Sequence, residues 1–257
     1  MPRARFLLPL LLIAPALLRA DGLADVRATL AKMQSDQPLR ARVEIKASNA
    51  GGESDKRKQQ SAGLTAVIVD YGPDGIRLNW TPEQIRQSRQ AAWEKLADPD
   101  AAQTDLATLG ALEAGDALAL VDAADPLRRW LEHATLLEDK PGTFQGKPAR
   151  RLLLRVQLRL NAEARKILKE SDGTLQLWLD RTGIPIAVDR DLHARFSKFF
   201  LSYRIHEHDA REFQTVGNRL IVTHSAHESS GSGLGHSEES HSAITVTLLP
   251  GTADTAH

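Results

Sequence analysis

The residues in this chain whose types and spacing best suit chemistry are its histidines. Seven of the nine lie between His193 and His241. His206 and His208 flank Glu207, so on a strand both imidazoles fall on one face, because side chains alternate with period two. His224, His227 and His241 follow, interspersed with Asp209, Glu228, Glu238 and Glu239. Imidazole and carboxylate together are the donor set of zinc and copper sites, which need three or four converging ligands. Gly217-Asn218 has the composition of a two-residue hairpin turn. Counting outward from it sets His208 opposite His227. A Ser/Gly-rich loop from Ser229 to Gly235 sets His224 opposite His241. His224 and His227 are an odd number of positions apart, so a regular strand sends them to opposite faces. The metal reading therefore rests on His206, His208, His224, His227 and His241 as two pairs. The other reading of the same residues is a solvated, merely polar hairpin.

Other chemical signatures are absent from the sequence. Gly231-Ser232-Gly233 is flanked by Ser230 and Leu234, so it is not the G-x-S-x-G elbow of a serine hydrolase. No P-loop or H-E-x-x-H occurs, and the same glycines do not fit a dinucleotide fingerprint. The chain has no Cys, which excludes a thiolate nucleophile, a thiolate metal site and a disulfide framework. The 33 basic residues balance 33 acidic ones, which is not the footprint of a nucleic-acid binder. Lys56-Arg57-Lys58 stands beside Glu53 and Asp55 and reads as a solvated loop. The expectation is a protein that is not an enzyme.

The elements that must position these residues follow from periodicity. Leu23, Val26, Leu30 and Met33 recur at helical spacing. Leu39, Ala41, Val43, Ile45 and Ala47 alternate with Arg40, Arg42, Glu44 and Lys46, a strand with one apolar and one wet face. Ser48–Ser61 reads as a polar loop, Leu64–Tyr71 and Ile76–Trp80 as two more strands. Thr81, Pro82 and Gln84 make a capping box with Pro at the first helical position, opening a helical block at about 82–133. Strands joined by turns then run to Leu249, with a turn-rich stretch from Pro141 to Pro148, Leu152–Leu160 as one strand and Asp180–Gly183 as a hairpin turn. The order gives an α+β fold: a curved antiparallel sheet, a half-barrel-like meander, with helices covering its open or concave side. Trp80, Trp93, Leu109, Trp130, Leu154, Val156 and Leu177 are the apolar residues expected to line a cavity there or to fill the core.

The N-terminus supplies the compartment. Arg3 and Arg5 precede an apolar run from Phe6 to Leu18, and Leu18-Arg19-Ala20 offers a cleavage site, the form of a secretory signal peptide. The run falls short of the roughly 20 residues that a spanning helix needs. No later segment reaches that length. Residues 1–20 are expected to be removed, 21–250 to form one α+β domain and 251–257 to be a tail. Removing Arg3, Arg5 and Arg19 from the 33 basic residues leaves 30 against 33 acidic, a net charge of −3.

In layout the chain resembles the periplasmic lipoprotein-carrier superfamily of the LolA/LolB kind. The likeness lies in the export signal, the opening helix Leu23–Met33, the strand Leu39–Ala47, the hairpin ending Ile76-Arg-Leu-Asn-Trp80, the mid-chain helices and the closing meander. It implies an unclosed half-barrel that holds a lipid or acyl chain under its helices. It carries over no individual site residue. The expectations are thus a periplasmic apolar-ligand binder, with a zinc or copper protein and an envelope interaction module as alternatives.

Overall fold

A computed structural model of the chain describes residues 22–53, 59–98, 109–158, 160–198, 201–233 and 235–250, with backbone only at 53, 59–61 and 111. The expected signal segment 1–20, Lys56-Arg57-Lys58, the 99–108 part of the helical block and the tail 251–257 lie outside the described residues. The chain opens with helix α1 (Gly22–Lys32), then strands β1 (Leu39–Glu53), β2 (Gln59–Gly72) and β3 (Gly75–Asn79). Helices α2 (Pro82–Ala97), α3 (Ala114–Val121) and α4 (Ala124–Leu131) follow, with a 3-10 turn at Leu109–Ala111. Then come β4 (Thr135–Phe144), β5 (Lys147–Arg155), the short α5 (Ala162–Ile167), β6 (Leu168–Leu179) and β7 (Pro185–Lys198). Three long strands close the fold: β8 (Leu201–Val216), β9 (Arg219–Gly233) and β10 (His236–Leu248).

All ten strands join one antiparallel, unclosed sheet in the order β3-β2-β1-β10-β9-β8-β7-β6-β5-β4. The first and last strands pair in its interior, with Val43 opposite Val246. The edges are therefore β3 and β4, which are consecutive in the chain. The segment between them has to cross the sheet from one edge to the other, and it carries α2, α3 and α4. The expected helical block is this crossing, which explains how a meander comes to have helices over one face.

Cross-strand partners share a face, so the register sorts the side chains. On the covered face, one row runs Leu152, Leu177, Val188, Arg211, Ser225, Ile244 and Ile45. The neighbouring row runs Leu154, Leu175, Arg190, Asp209, His227, Ser242 and Ala47. Leu23, Val26 and Leu30 of α1, Leu120 and Val121 of α3, and Leu127 and Leu131 of α4 are buried in one core with Leu152, Leu154, Leu175, Leu177 and Leu179, α3 packing against β2, β3 and β9. Truncating one such leucine to alanine costs about 2–5 kcal/mol. The helices cover only one half of the long strands. Beyond the Arg190–Asp209–His227 row the same face becomes polar, with Glu207, Ser229, Ser240 and Asn49 in line.

Side chains lock the helices to the sheet. Arg27 donates to the Leu131 carbonyl (Nε, 3.2 Å), covering the open C-terminal end of α4. The hairpin tip at Gly217-Asn218, where Gly217 has φ +58°, reaches the other end of α1. Asn218 Nδ2 donates to the Lys32 carbonyl at 2.6 Å, and buried Arg219 donates to Ser35 and Gln37 carbonyls while lying over the Tyr71 ring. The capping box forms as read: Thr81 N–H reaches Gln84 Oε1 at 2.8 Å and Gln84 N–H reaches Thr81 Oγ1 at 3.2 Å.

Three stretches differ from their sequence expectation. Ser48–Ser61 is not simply a loop, because β1 runs on to Glu53 and β2 starts at Gln59. Both are held by pairing with neighbours where no helix covers them, so nothing selects apolar residues. The stretch from Pro141 to Pro148 is not a long turn: β4 continues to Phe144, and the turn is Gln145-Gly146, both at positive φ. Pro141 is tolerated because β4 is an edge strand. The strand expected over Leu152–Leu160 ends at Arg155.

Candidate functional site

A pocket lies on the covered face at the border of the core. A cavity of about 390 Å³ is lined by Pro126, Arg129 and Trp130 of α4, Val156, Gln157 and Leu158 after β5, and Arg190 and Leu192 of β7. Its geometry starts at Gly173. The Val156 N–H donates to the Gly173 carbonyl at 2.9 Å. A Cβ on Gly173 would stand 2.8 Å from the Val156 carbonyl oxygen. Only glycine allows that approach, and it holds Val156 and Leu158 beside the end of α4 after β5 has stopped.

The floor of this region is ionic. Arg190 Nε donates to Asp209 Oδ2 at 2.9 Å, and its Nη2 reaches Glu207 at 3.2 Å. Asp209, only 5% exposed, also accepts from His227 Nδ1 at 2.9 Å. Burial works to raise Asp209, but the His227 hydrogen bond and the Arg190 charge hold its carboxyl below the usual range. The Asp209 hydrogen bond in turn raises His227. Trp130 seals the row from above, its ring 4.8 Å from the Arg190 guanidinium and 4.6 Å from that of Arg211. Burial pushes Arg211 down, and a π face is the apolar surface such a cation tolerates best.

The opposite face carries a second cluster. Rows there pair Asp191 with His208 and His193 with His206. His193 Nε2 lies 2.7 Å from Asp191 Oδ1, and His206 Nε2 lies 3.0 Å from Asp191 Oδ2. The rings of His193 and His206 stack at 4.2 Å and 4°. His208 stands between two carboxylates, 3.7 Å from both Asp189 and Asp191. Burial tends to raise Asp191, but the His206 hydrogen bond and three neighbouring histidines bring it below its ordinary value. Burial raises Asp189, which sits beside Asp191.

The residues read from the sequence are distributed between these places. Of the seven apolar candidates, Trp130 and Val156 share the pocket. Leu154 and Leu177 are fully buried in the core, and Trp80 packs half-buried against it. Trp93 is 69% and Leu109 38% exposed; α2 buries none of its residues. Of the histidines, His206 and His208 share the open face. His241 lies on that face too, 3.8 Å from Glu228. His224 points there without joining the cluster, and His227 is on the covered face.

The expected pairings of His208 with His227 and of His224 with His241 do not occur. Val216 faces Arg219 as read, but the register slips by one after Phe213–Val222, so His227 faces Asp209 and His208 faces Glu228. Thr223 is the extra residue, a β-bulge. The Ser/Gly stretch is strand as far as Gly233, which moves the next turn outward and puts His224 opposite Thr245 and His241 opposite Glu228. His193, Asp189 and Asp191 were not among the metal candidates. The alternation Asp189-x-Asp191-x-His193 is a period-two signal for one face.

The fold defines the class: an open antiparallel α+β sheet whose edge-to-edge crossing lays helices on one face. No protein-family model matches the chain, and no curated protein matches it. Among solved structures, the chain is similar to a LolA superfamily protein from Nitrosomonas europaea, with 10% identity, TM-score 0.27 and coverage of 89% of this chain and 94% of the other. It is also similar to MucB, solved in complex with MucA(peri), at 11% identity and TM-score 0.20, covering 90% of this chain and 96% of that one. At those values the likeness is one of layout.

Proposed function

We propose that the chain is an exported, non-enzymatic binding protein that takes the apolar tail of a lipid-like ligand into the pocket between α4 and β7. The observation that carries this is the pocket itself: Trp130, Val156, Leu158 and Leu192 meet at the edge of the core. Its volume of about 390 Å³ falls within the roughly 300–1,000 Å³ range of small-molecule sites. Arg129 and Arg190 line the pocket too and supply positive charge for an anionic head group. A tail burying eight methylenes contributes roughly 6 kcal/mol at about 0.8 kcal/mol each, before the cost of association. The core leucines at 154 and 177 support the walls and do not meet the ligand. Export through a cleaved segment 1–20, and with it a periplasmic location, belongs to the same reading. In the described residues no helix is long and apolar enough to cross a membrane.

Native mass spectrometry of the untagged chain, exported to a periplasm, tests it. The expected result is a mass starting at Asp21 plus an excess that leaves as lipid on denaturation. Val156→Phe and Leu158→Trp fill the pocket from partly exposed positions and should abolish the excess in a folded protein. A bare mass, together with no uptake of an added fatty acid, would overturn the proposal.

A further inference from the structure

We propose that the open face carries a divalent transition-metal site made by Asp191, His193 and His206, with His208 supporting it. One carboxylate oxygen of Asp191 and one ring nitrogen from each histidine all lie within 4.8 Å of one another. Zn–N and Zn–O bonds run about 2.0–2.2 Å, so donors sharing one ion lie at most about 4.4 Å apart. Small side-chain rotations close that gap. The side chains are partly exposed, at 60% for His193 and 44% for His206, and are free to make them.

Three features make the cluster more than a hydrogen-bonded patch. The first is the stacking of His193 on His206. With ring centroids 4.2 Å apart and 4° between the planes, the two imidazoles stand side by side and each turns its Nε2 towards the same Asp191 carboxylate. The second is rigidity. β7 and β8 are interior strands, each paired on both sides, so the spacing of the donors is fixed by the sheet and not by a loop. The third is the supporting shell. His208 Nδ1 at 3.7 Å from Asp191 Oδ2 is placed to steady the ligating carboxylate, the usual role of outer partners at metal sites. Imidazole with carboxylate suits zinc, copper or nickel.

Three protein ligands leave a coordination position open. His193 and His206 border a cavity of about 530 Å³ whose wall also carries Asp172, Arg195, Arg204 and Ser230. The remaining ligand of the ion would come from that side, as water or a small anion held near the two arginines. This site is on the other face from the apolar pocket and does not depend on it.

Isothermal titration of the untagged exported chain with zinc chloride, and separately with copper chloride, tests the site. We expect one equivalent bound. His193→Ala, His206→Ala and Asp191→Ala should each weaken that binding at least tenfold, while His224→Ala and His236→Ala leave it unchanged. A second measurement needs no substitution. Substoichiometric copper should broaden the ring proton signals of His193 and His206 before those of His133 and His236. Absence of binding, equal binding by a folded His193→Ala/His206→Ala double variant, or broadening that begins at another histidine would each overturn the proposal.

Discussion

His227 donates its Nδ1 hydrogen to Asp209 at 2.9 Å, one strand away from the Arg190 that holds the other oxygen of the same carboxylate. This triad lies where the hydrophobic core stops. Its two titrating members give stability opposite pH dependences. The folded pKa of His227 is raised above 6.5 by the Asp209 hydrogen bond, so its contribution is complete below that unfolded value and is lost as pH rises through the folded one. The folded pKa of Asp209 is lowered below 3.8, so its contribution is complete above that value and is lost as pH falls through the folded one. Both operate fully between about pH 4 and 6.5. In urea denaturation, His227→Gln should flatten the decline in stability above that window. With the His227 side chain 36% exposed, solvent screening limits the difference to about 1 kcal/mol or less. An unchanged slope in the variant would remove His227 as its source.

Asp209 is the more costly member to lose. Its side chain is 7% exposed, and Asp209→Ala leaves Arg190 facing Trp130 with Glu207 as its remaining acid. Removing one partner of a buried pair costs about 3–5 kcal/mol, because the other charge stays buried. We expect about 3 kcal/mol in chemical denaturation, since Glu207 compensates in part. Asp209→Ala/Arg190→Met should recover a large share of it.

How far the fold could be read from the sequence follows from which physical signal each part carries. β1 was legible because Leu39 to Ala47 alternates strictly under the helices. Its extension to Glu53 was not, since both faces are polar once the helices end. The hairpin at Gly217-Asn218 was legible from its turn chemistry, but one bulged residue, Thr223, shifted every histidine pairing beyond it. Ser229 to Gly233 looked like a loop by composition. In the fold Gly231 and Gly233 lie in a strand because the Tyr203 ring packs across them, where any Cβ would collide with it. The open-face cluster escaped notice because His193 and His206 meet only through the β7–β8 register.

The tryptophans should separate by role. Trp93 is 69% exposed on a helix that buries nothing, so Trp93→Ala should change stability by no more than about 0.5 kcal/mol and remove a red-shifted component of the emission. Trp130→Ala removes the lid over two arginines and one wall of the pocket. A cost of about 2–3 kcal/mol is expected, somewhat less than for a fully buried Trp, together with loss of any bound lipid. Equal effects of the two substitutions would contradict these placements.

Gly173 tests whether the pocket is positioned by a backbone approach. Gly173→Ala places a methyl group 2.8 Å from the Val156 carbonyl and 3.0 Å from Leu192, both at the pocket. Overpacking of this kind costs about 1–3 kcal/mol, read as a lower thermal midpoint. Hydrogen exchange should quicken at the Val156 amide, whose acceptor is Gly173, more than at Leu152 or Leu177. Protection at Val156 that stays as in the parent would mean the strand end is held by something else.

Alkaline titration probes the polar end of the sheet through its phenols. The chain has two tyrosines, and both are shifted upward. Tyr203 hydrogen-bonds Glu238, whose carboxylate pushes the phenol up to about 12. Burial and the nearby Asp122 raise Tyr71. An ordinary tyrosine with pKa about 10 is roughly nine-tenths ionised at pH 11. Tyrosinate absorbance of the folded protein at that pH should therefore fall well short of two full equivalents. Glu238→Gln removes the charge opposite Tyr203 and should bring that one step back toward 10, leaving the Tyr71 step in place. If the parent already shows two ionised phenols at pH 11, Tyr203 does not hold Glu238 in solution, and the contact that ties β8 to β10 across the glycines of β9 is absent.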